Sequence, residues 1–141
     1  MNIVIDASMA LAWIFERQKP IEARLADQLL LSVNEHVWLA PPLLQLEIAN
    51  ALLVGERRKA VSEAQVVDFL HRFDQLPIRI DGDSASLRRA GVMGLARQHG
   101  LSSYDATYLE LALRSGASLA TFDAALARAM SAAGGAVFPR T

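Results

Sequence analysis

A chain of 141 residues, 52% hydrophobic and 21% charged, is long enough to bury one core and too apolar to be disordered. It has no cysteine, which excludes disulfides and thiolate zinc sites, and His36, His71 and His99 are scattered without paired metal-ligand spacing. A formal net charge of −1 gives no general attraction to nucleic acid, so binding a polyanion would have to rest on a local patch or on metal ions.

Asn2 to Asp6 (NIVID) is a β-branched run and predicts a strand. A helix is expected at about Ser8 to Glu16, and another over Pro20 to Ser32, with Ile21, Leu25 and Leu29 at helical spacing. Val37 to Ala40 predicts a second strand, stopped by Pro41-Pro42. Proline is tolerated in a first helical turn, so the next helix runs from about Pro42 to Lys59. Ser62 to Gln65 is a capping-box pattern that opens a further helix. Pro77 to Asp81 (PIRID) predicts a third strand and Asp83 to His99 a helix ended by Gly100. A helix capped by Ser102 or Ser103 runs to Ser115 and stops at Gly116. Ala117 to Thr121 predicts a fourth strand, Asp123 to Ala133 the last helix, and Ala136 to Phe138 a fifth strand. This alternation predicts one α/β domain over 1–141, with a mostly parallel sheet covered on both faces. No apolar run reaches the ~20 residues of a membrane span, and MNIVIDAS lacks the basic start and apolar stretch of a signal peptide, so a cytoplasmic protein is expected.

Four carboxylates stand out. Asp6 ends the first strand, and α/β sheets bind ligands beyond the carboxyl ends of their strands, at a topological switch point. Capping by Asp6 or Ser8 is the alternative. Glu47 lies in LLQLEIANALLV, apolar on nearly every side and therefore expected to be buried, yet carrying Gln45, Glu47 and Asn50. Glu47 and Asn50 share a face. A buried carboxylate needs a partner or a metal, and no basic residue has helical spacing to Glu47 until Arg57. A structural ion pair, or a helix facing a partner subunit, is the competing account. In the helix from Ser103, Asp105, Tyr108, Leu109 and Ala112 fall on the apolar face. Thr107, Glu110 and Arg114 fall opposite, with Glu110 and Arg114 spaced as a solvated ion pair. A capping box from Ser102 to Asp105, or a favourable helix-dipole contact, is the alternative; a cap explains an early aspartate better than its inward direction. Asp123 follows the fourth strand, two residues after Thr121, and by itself reads as a helix cap. Asp81 and Asp83 also follow a strand. Asp83 is expected to cap a helix, and Asp81 to lie away from the other four acids.

VIDASMALAW, PPLLQLEIANAL and LSSYDATYLELALRSGASLATFD, in this order and at domain-wide spacing, resemble the PIN domain, and most of all the VapC-type toxins of toxin–antitoxin pairs. The resemblance spans nearly the whole chain. It implies a three-layer α/β/α sandwich, RNA cleavage dependent on Mg2+ or Mn2+, a small antitoxin partner and a homodimer. Carried over position by position, it makes Asp6, Glu47, Asp105 and Asp123 the metal-binding catalytic cluster, supported by Ser8, Asn50 and Thr121. Asp6 and Asp105 are the expected principal ligands. Asp123 would bind directly or through water, and Glu47 would bind metal or position the attacking water. The family often has another acidic or polar residue just after the last aspartate; Ala124 and Ala125 stand there, which bears on a second metal ion but not on the fold.

Clustered carboxylates repel one another, and hard divalent ions that prefer oxygen relieve the repulsion. Such a site can hydrolyse a phosphodiester without a histidine or cysteine nucleophile. RNA contact is expected from Arg57-Arg58-Lys59 and Arg88-Arg89, although the first group would also suit a helix C-terminus. Met9, Leu11, Trp13, Ile14, Phe15 and the helix from Pro42 to Val54 are candidates for a partner surface or simply core. A haloacid-dehalogenase-like phosphohydrolase would carry a second aspartate where Ser8 stands. A non-catalytic module working through a partner protein is the reading from another class.

Overall fold

The computed structural model describes residues 1–140. Short apolar runs form five strands: β1 (Asn2–Ile5), β2 (Val37–Ala40), β3 (Ile78–Ile80), β4 (Ser118–Ala120) and β5 (Val137–Phe138). They make one sheet in the order β3-β2-β1-β4-β5, every neighbouring pair parallel, with Ile3 opposite both Trp38 and Ser118. Between and after them lie α1 (Ala7–Leu11), α2 (Pro20–Leu31), α3 (Leu43–Arg57), α4 (Glu63–Phe73), α5 (Ala85–His99), α6 (Ser103–Ser115) and α7 (Ala124–Ala132). The expected parallel α/β architecture is present; Thr141 lies outside the described residues.

The strand order fixes where a site can form. From β1 the chain moves to β2 and β3, then crosses back to β4 on the other side of β1. Parallel crossovers are right-handed, so reversing direction puts α1–α4 over one face and α5–α7 over the other. The packing of α1 on α3, and of α6 on α5 and α7, agrees with this division. The switch point is the gap between the carboxyl ends of β1 and β4. Val4, Ile5, Trp38 and Leu119 are buried in the sheet, with Met9, Leu44 and Ile48 from one layer and Leu109, Leu126 and Met130 from the other.

Several local expectations are corrected. The first helix stops at Leu11 rather than Glu16. Beyond it Trp13 stacks on Trp38 at 5.8 Å between ring centroids and donates its indole N–H to the Ala26 carbonyl at 2.9 Å, so tertiary contacts pull the chain out of the helix. Met9 is fully buried, and Leu11, Trp13, Ile14 and Phe15 are partly buried and pack on the core. Helix α3 is not buried all round: Leu44, Ile48 and Leu52 face inward, while Leu46 and Leu53 are 72% and 48% exposed. Asp83 does not cap α5. Ser84 holds that position, and Asp83 instead accepts from Arg88 and Arg114.

Candidate active site

Asp6 is the first residue after β1 and is 5% exposed. Its Oδ1 caps α1 by accepting from the Met9 amide at 2.9 Å and also accepts from the Ser8 hydroxyl at 2.7 Å. Its Oδ2 accepts from the Thr121 hydroxyl at 2.5 Å. Thr121 Oγ1 in turn accepts from the Asp123 amide, and Ser8 Oγ from the Phe122 amide, both at 2.9 Å. A hydroxyl has one proton, and both hydroxyls give theirs to Asp6. The 3.4 Å contact between Ser8 and Thr121 is therefore left without a proton. Together these bonds stitch the β1–α1 and β4–α7 junctions at the switch point. Burial pushes the Asp6 carboxyl up to about 6, against the three bonds it accepts, with the charge of Asp123 adding to the rise.

Asp123 caps α7, its Oδ1 accepting from the Leu126 amide at 2.9 Å. Asp105 sits in the first turn of α6, but the cap there is Ser102, whose hydroxyl oxygen accepts from the Asp105 amide at 3.1 Å. The Asp105 carboxylate is half-buried on the inward side, beside buried Ala106, Tyr108 and Leu109. Burial raises its pKa, and the charges of Asp123 and Glu47 raise it further. Glu47, in the second turn of α3, accepts at Oε1 from the Tyr108 hydroxyl at 2.5 Å. Tyr108 is 1% exposed, and its phenol is raised well above the usual range, first by burial and then by Glu47, Asp6 and Asp105. The electrostatic neighbours thus link all four carboxylates, with the Tyr108 hydroxyl bonded to Glu47 and within the influence of the charges of Asp6 and Asp105.

Arg17 pairs with Glu22, Arg72 with Asp68, Arg88 with Asp83, and Arg114 with Asp81, Asp83 and Glu110. Among the described residues no salt bridge reaches Asp6, Glu47, Asp105 or Asp123. Asp81 contrasts with them: burial alone would raise it, yet its bonds to Arg114 hold it below the usual range. Glu110 and Arg114, expected as a simple surface pair, instead anchor this separate network. A hard divalent cation fits the unpaired acids by chemistry, since the donors are all oxygen and all anionic. As they stand, no three Asp, Glu or His side chains among the described residues are close enough to share a metal ion.

Ser8 and Thr121 are brought directly onto Asp6, whereas Asn50 is exposed and makes no side-chain hydrogen bond among the described residues. Arg57, Arg58 and Lys59 are exposed at the far end of α3, with Arg57 about 15 Å along the axis from Glu47. Arg88 and Arg89 line a groove of about 440 Å³ with Pro41, Leu43 and Tyr104, and Arg88 is committed to Asp83. Two residues were missed. Tyr108 carries a legible signal, one turn after Asp105 on the same face. Arg17 carries none: its guanidinium lies over the Phe122 ring at 5.2 Å, beside the loop holding Thr121 and Asp123, and its buried Nε lacks a partner.

The family model of the PIN domain matches residues 3–130. No curated protein matches the chain. Among solved structures, PAE2754 from Pyrobaculum aerophilum is similar at a TM-score of 0.70 and 24% identity, covering 97% of this chain and 92% of that one. VapBC2 from Rickettsia felis, bound to a DNA fragment from its promoter, is similar at 0.66 and 13% identity, covering 97% of both chains. VapC20 from Mycobacterium tuberculosis, a sarcin-ricin loop cleaving toxin, is similar at 0.60 and 22% identity, covering 94% of this chain and 95% of that one.

Proposed function

The chain belongs to the PIN domain family, and from that premise we propose that it is a metal-dependent endoribonuclease acting as the VapC-type toxin of a toxin–antitoxin pair. The observation that carries this is the set of four carboxylates near the switch point that, among the described residues, no arginine or lysine meets in a salt bridge. The likeness to a toxin that cleaves the sarcin-ricin loop supports RNA as the substrate class. Mg2+ or Mn2+ would be held by Asp6, Asp105, Asp123 and Glu47, and would supply polarisation of a phosphoryl oxygen and acidification of water.

The chain's own residues divide the work. Asp6 is the rigid anchor, its orientation set by Ser8, Met9 and Thr121. Asp123 keeps Oδ1 on its helix cap, which leaves Oδ2 for a ligand. Asp105 and Glu47 approach from the other two helices. Arg57, Arg58, Lys59 and Arg89 are among the exposed cations that would meet the RNA backbone. The likeness to VapBC2 supports an antitoxin partner. Exposed Leu46 and Leu53 on α3, with Leu87 and Met93 on α5, support protein contacts, including a homodimer. Cytoplasmic residence belongs to the same reading; among the described residues no helix is long and apolar enough to cross a membrane. The exposed face of α3 also suits a non-catalytic module that works only through a partner.

The test is incubation of purified, antitoxin-free protein with total cellular RNA and Mg2+ or Mn2+, with EDTA and Asp6→Asn controls. Cleavage that disappears in both controls is the expected result. Intact RNA with correctly folded protein would favour the partner-binding module.

A further inference from the structure

We propose that Tyr108 is a positioning residue that holds the Glu47 carboxylate in the acidic site. The inference rests on the proposed metal-dependent nuclease. Glu47 is only half-buried, on a side chain with three rotatable bonds, and it shares its surroundings with the like charges of Asp105 and Asp6. Repulsion alone would turn it outward to water. Among the described residues one side chain donates to it: the Tyr108 hydroxyl, at 2.5 Å, across 61 residues of sequence. The Tyr108 ring is 1% exposed and fixed by the core, so its hydroxyl is a rigid point. Helix α3 packs chiefly on α1, and α6 on α5 and β1. The bond therefore ties together two helices from opposite layers, one carrying Glu47 and the other Asp105.

A buried phenol ordinarily finds some acceptor. The competing account is that Glu47 merely satisfies Tyr108. The two accounts differ in what happens to the metal. Mn2+ binding to the full, antitoxin-free chain is measured by calorimetry for wild type, Tyr108→Phe, Glu47→Ala and the double variant. Tyr108→Phe is expected to weaken binding by about 10–100-fold, the usual effect of removing a group that orients a ligand. The double variant is expected to bind no worse than Glu47→Ala alone, because the hydroxyl acts through that carboxylate. Cleavage by Tyr108→Phe should lose kcat with KM for RNA little changed.

Wild-type Mn2+ affinity in Tyr108→Phe, beside weakened affinity in Glu47→Ala, overturns the positioning role and leaves the nuclease reading standing. Unchanged affinity in Glu47→Ala removes Glu47 from the metal site and overturns both its assignment and this proposal. A second measurement does not depend on the variants folding. The chain has two tyrosines, and 3-fluorotyrosine labelling gives one resonance from exposed Tyr104 and one from buried Tyr108. The Tyr108 resonance should shift on titration with Mg2+ while Tyr104 stays still. Mg2+ bound by calorimetry with a motionless Tyr108 resonance overturns the proposal.

Discussion

Asp6 holds its proton more tightly than an aspartate in water because burial outweighs the three hydrogen bonds it accepts. A folded pKa of about 6 against 3.8 for the free group means that the folded chain binds more protons than the unfolded chain between those values. Stability therefore falls as pH rises through that window. The penalty is absent below the unfolded pKa and complete above the folded one, at roughly 3 kcal/mol. The melting temperature of metal-free Asp6→Asn relative to wild type is accordingly expected to be higher at pH 7 than at pH 4, a gain set against the Thr121 bond that the amide nitrogen cannot accept. A gain that is constant with pH would contradict the assignment. Asp6 and Asp123 were legible as acids after strands, but whether they cap helices or form a site was not. Both cap: Asp123 with Oδ1 alone, and Asp6 with Oδ1 while Oδ2 meets Thr121. Sequence spacing describes whole residues, and the answer lies in separate oxygens.

Among the elements, α3 depends on one close approach. A Cβ built at Gly55 would lie 2.6 Å from two ring carbons of Phe15, in the segment where α1 has given way to turns. Gly55→Ala is expected to destabilise the fold by about 1–3 kcal/mol, measured by chemical denaturation, because the Phe15 ring has to move. Elsewhere Arg114 joins α6 to the β3–α5 turn through Asp81 and Asp83, and pairs with Glu110 on its own helix. Arg114→Ala leaves three acids facing one another without their cation. A loss of about 1–3 kcal/mol, reduced by partial exposure and added salt, is the expectation. A melting temperature indifferent to the substitution would show that water already screens this network. The strands and helices were legible from apolar period and turn residues, as with Pro41-Pro42 and Gly116. The end of α1 was not, because the Trp13–Trp38 stack that redirects the chain joins residues far apart in sequence. The exposed side of α3 was also hidden, since leucines read as core whether or not anything covers them.

For the whole molecule, alternation of strands and helices predicted a parallel sheet but not its order. Nothing in the local sequence states that β4 lies beside β1, yet this adjacency creates the switch point and brings Thr121 onto Asp6. An acidic site without salt bridges at that point is expected to make stability responsive to divalent ions. Mg2+ or Mn2+ is expected to raise the melting temperature at pH 7, by an amount equivalent to about 2.7 kcal/mol at a hundredfold excess over Kd. EDTA should reverse the gain, Asp105→Asn should blunt it, and lowering the pH toward 5 should diminish it as Asp6 takes up its proton. Equal stabilisation by these ions in the Asp105→Asn protein would place their binding elsewhere.

The bond between Asp6 and Thr121 closes a span of 115 residues. On the ribosome, at about 5–20 residues per second, the aspartate waits roughly 6–23 s for its partner to be made. During that interval β1 has no β4 beside it, and Asp123 does not yet exist. With the proposed nuclease activity, the chain is therefore expected to be inert during its own synthesis and to spare the RNA of the ribosome producing it until β4 and α7 have emerged and docked. Ribosome-held chains stalled before Thr121 should leave added RNA intact, and completion and release of the full chain should switch cleavage on.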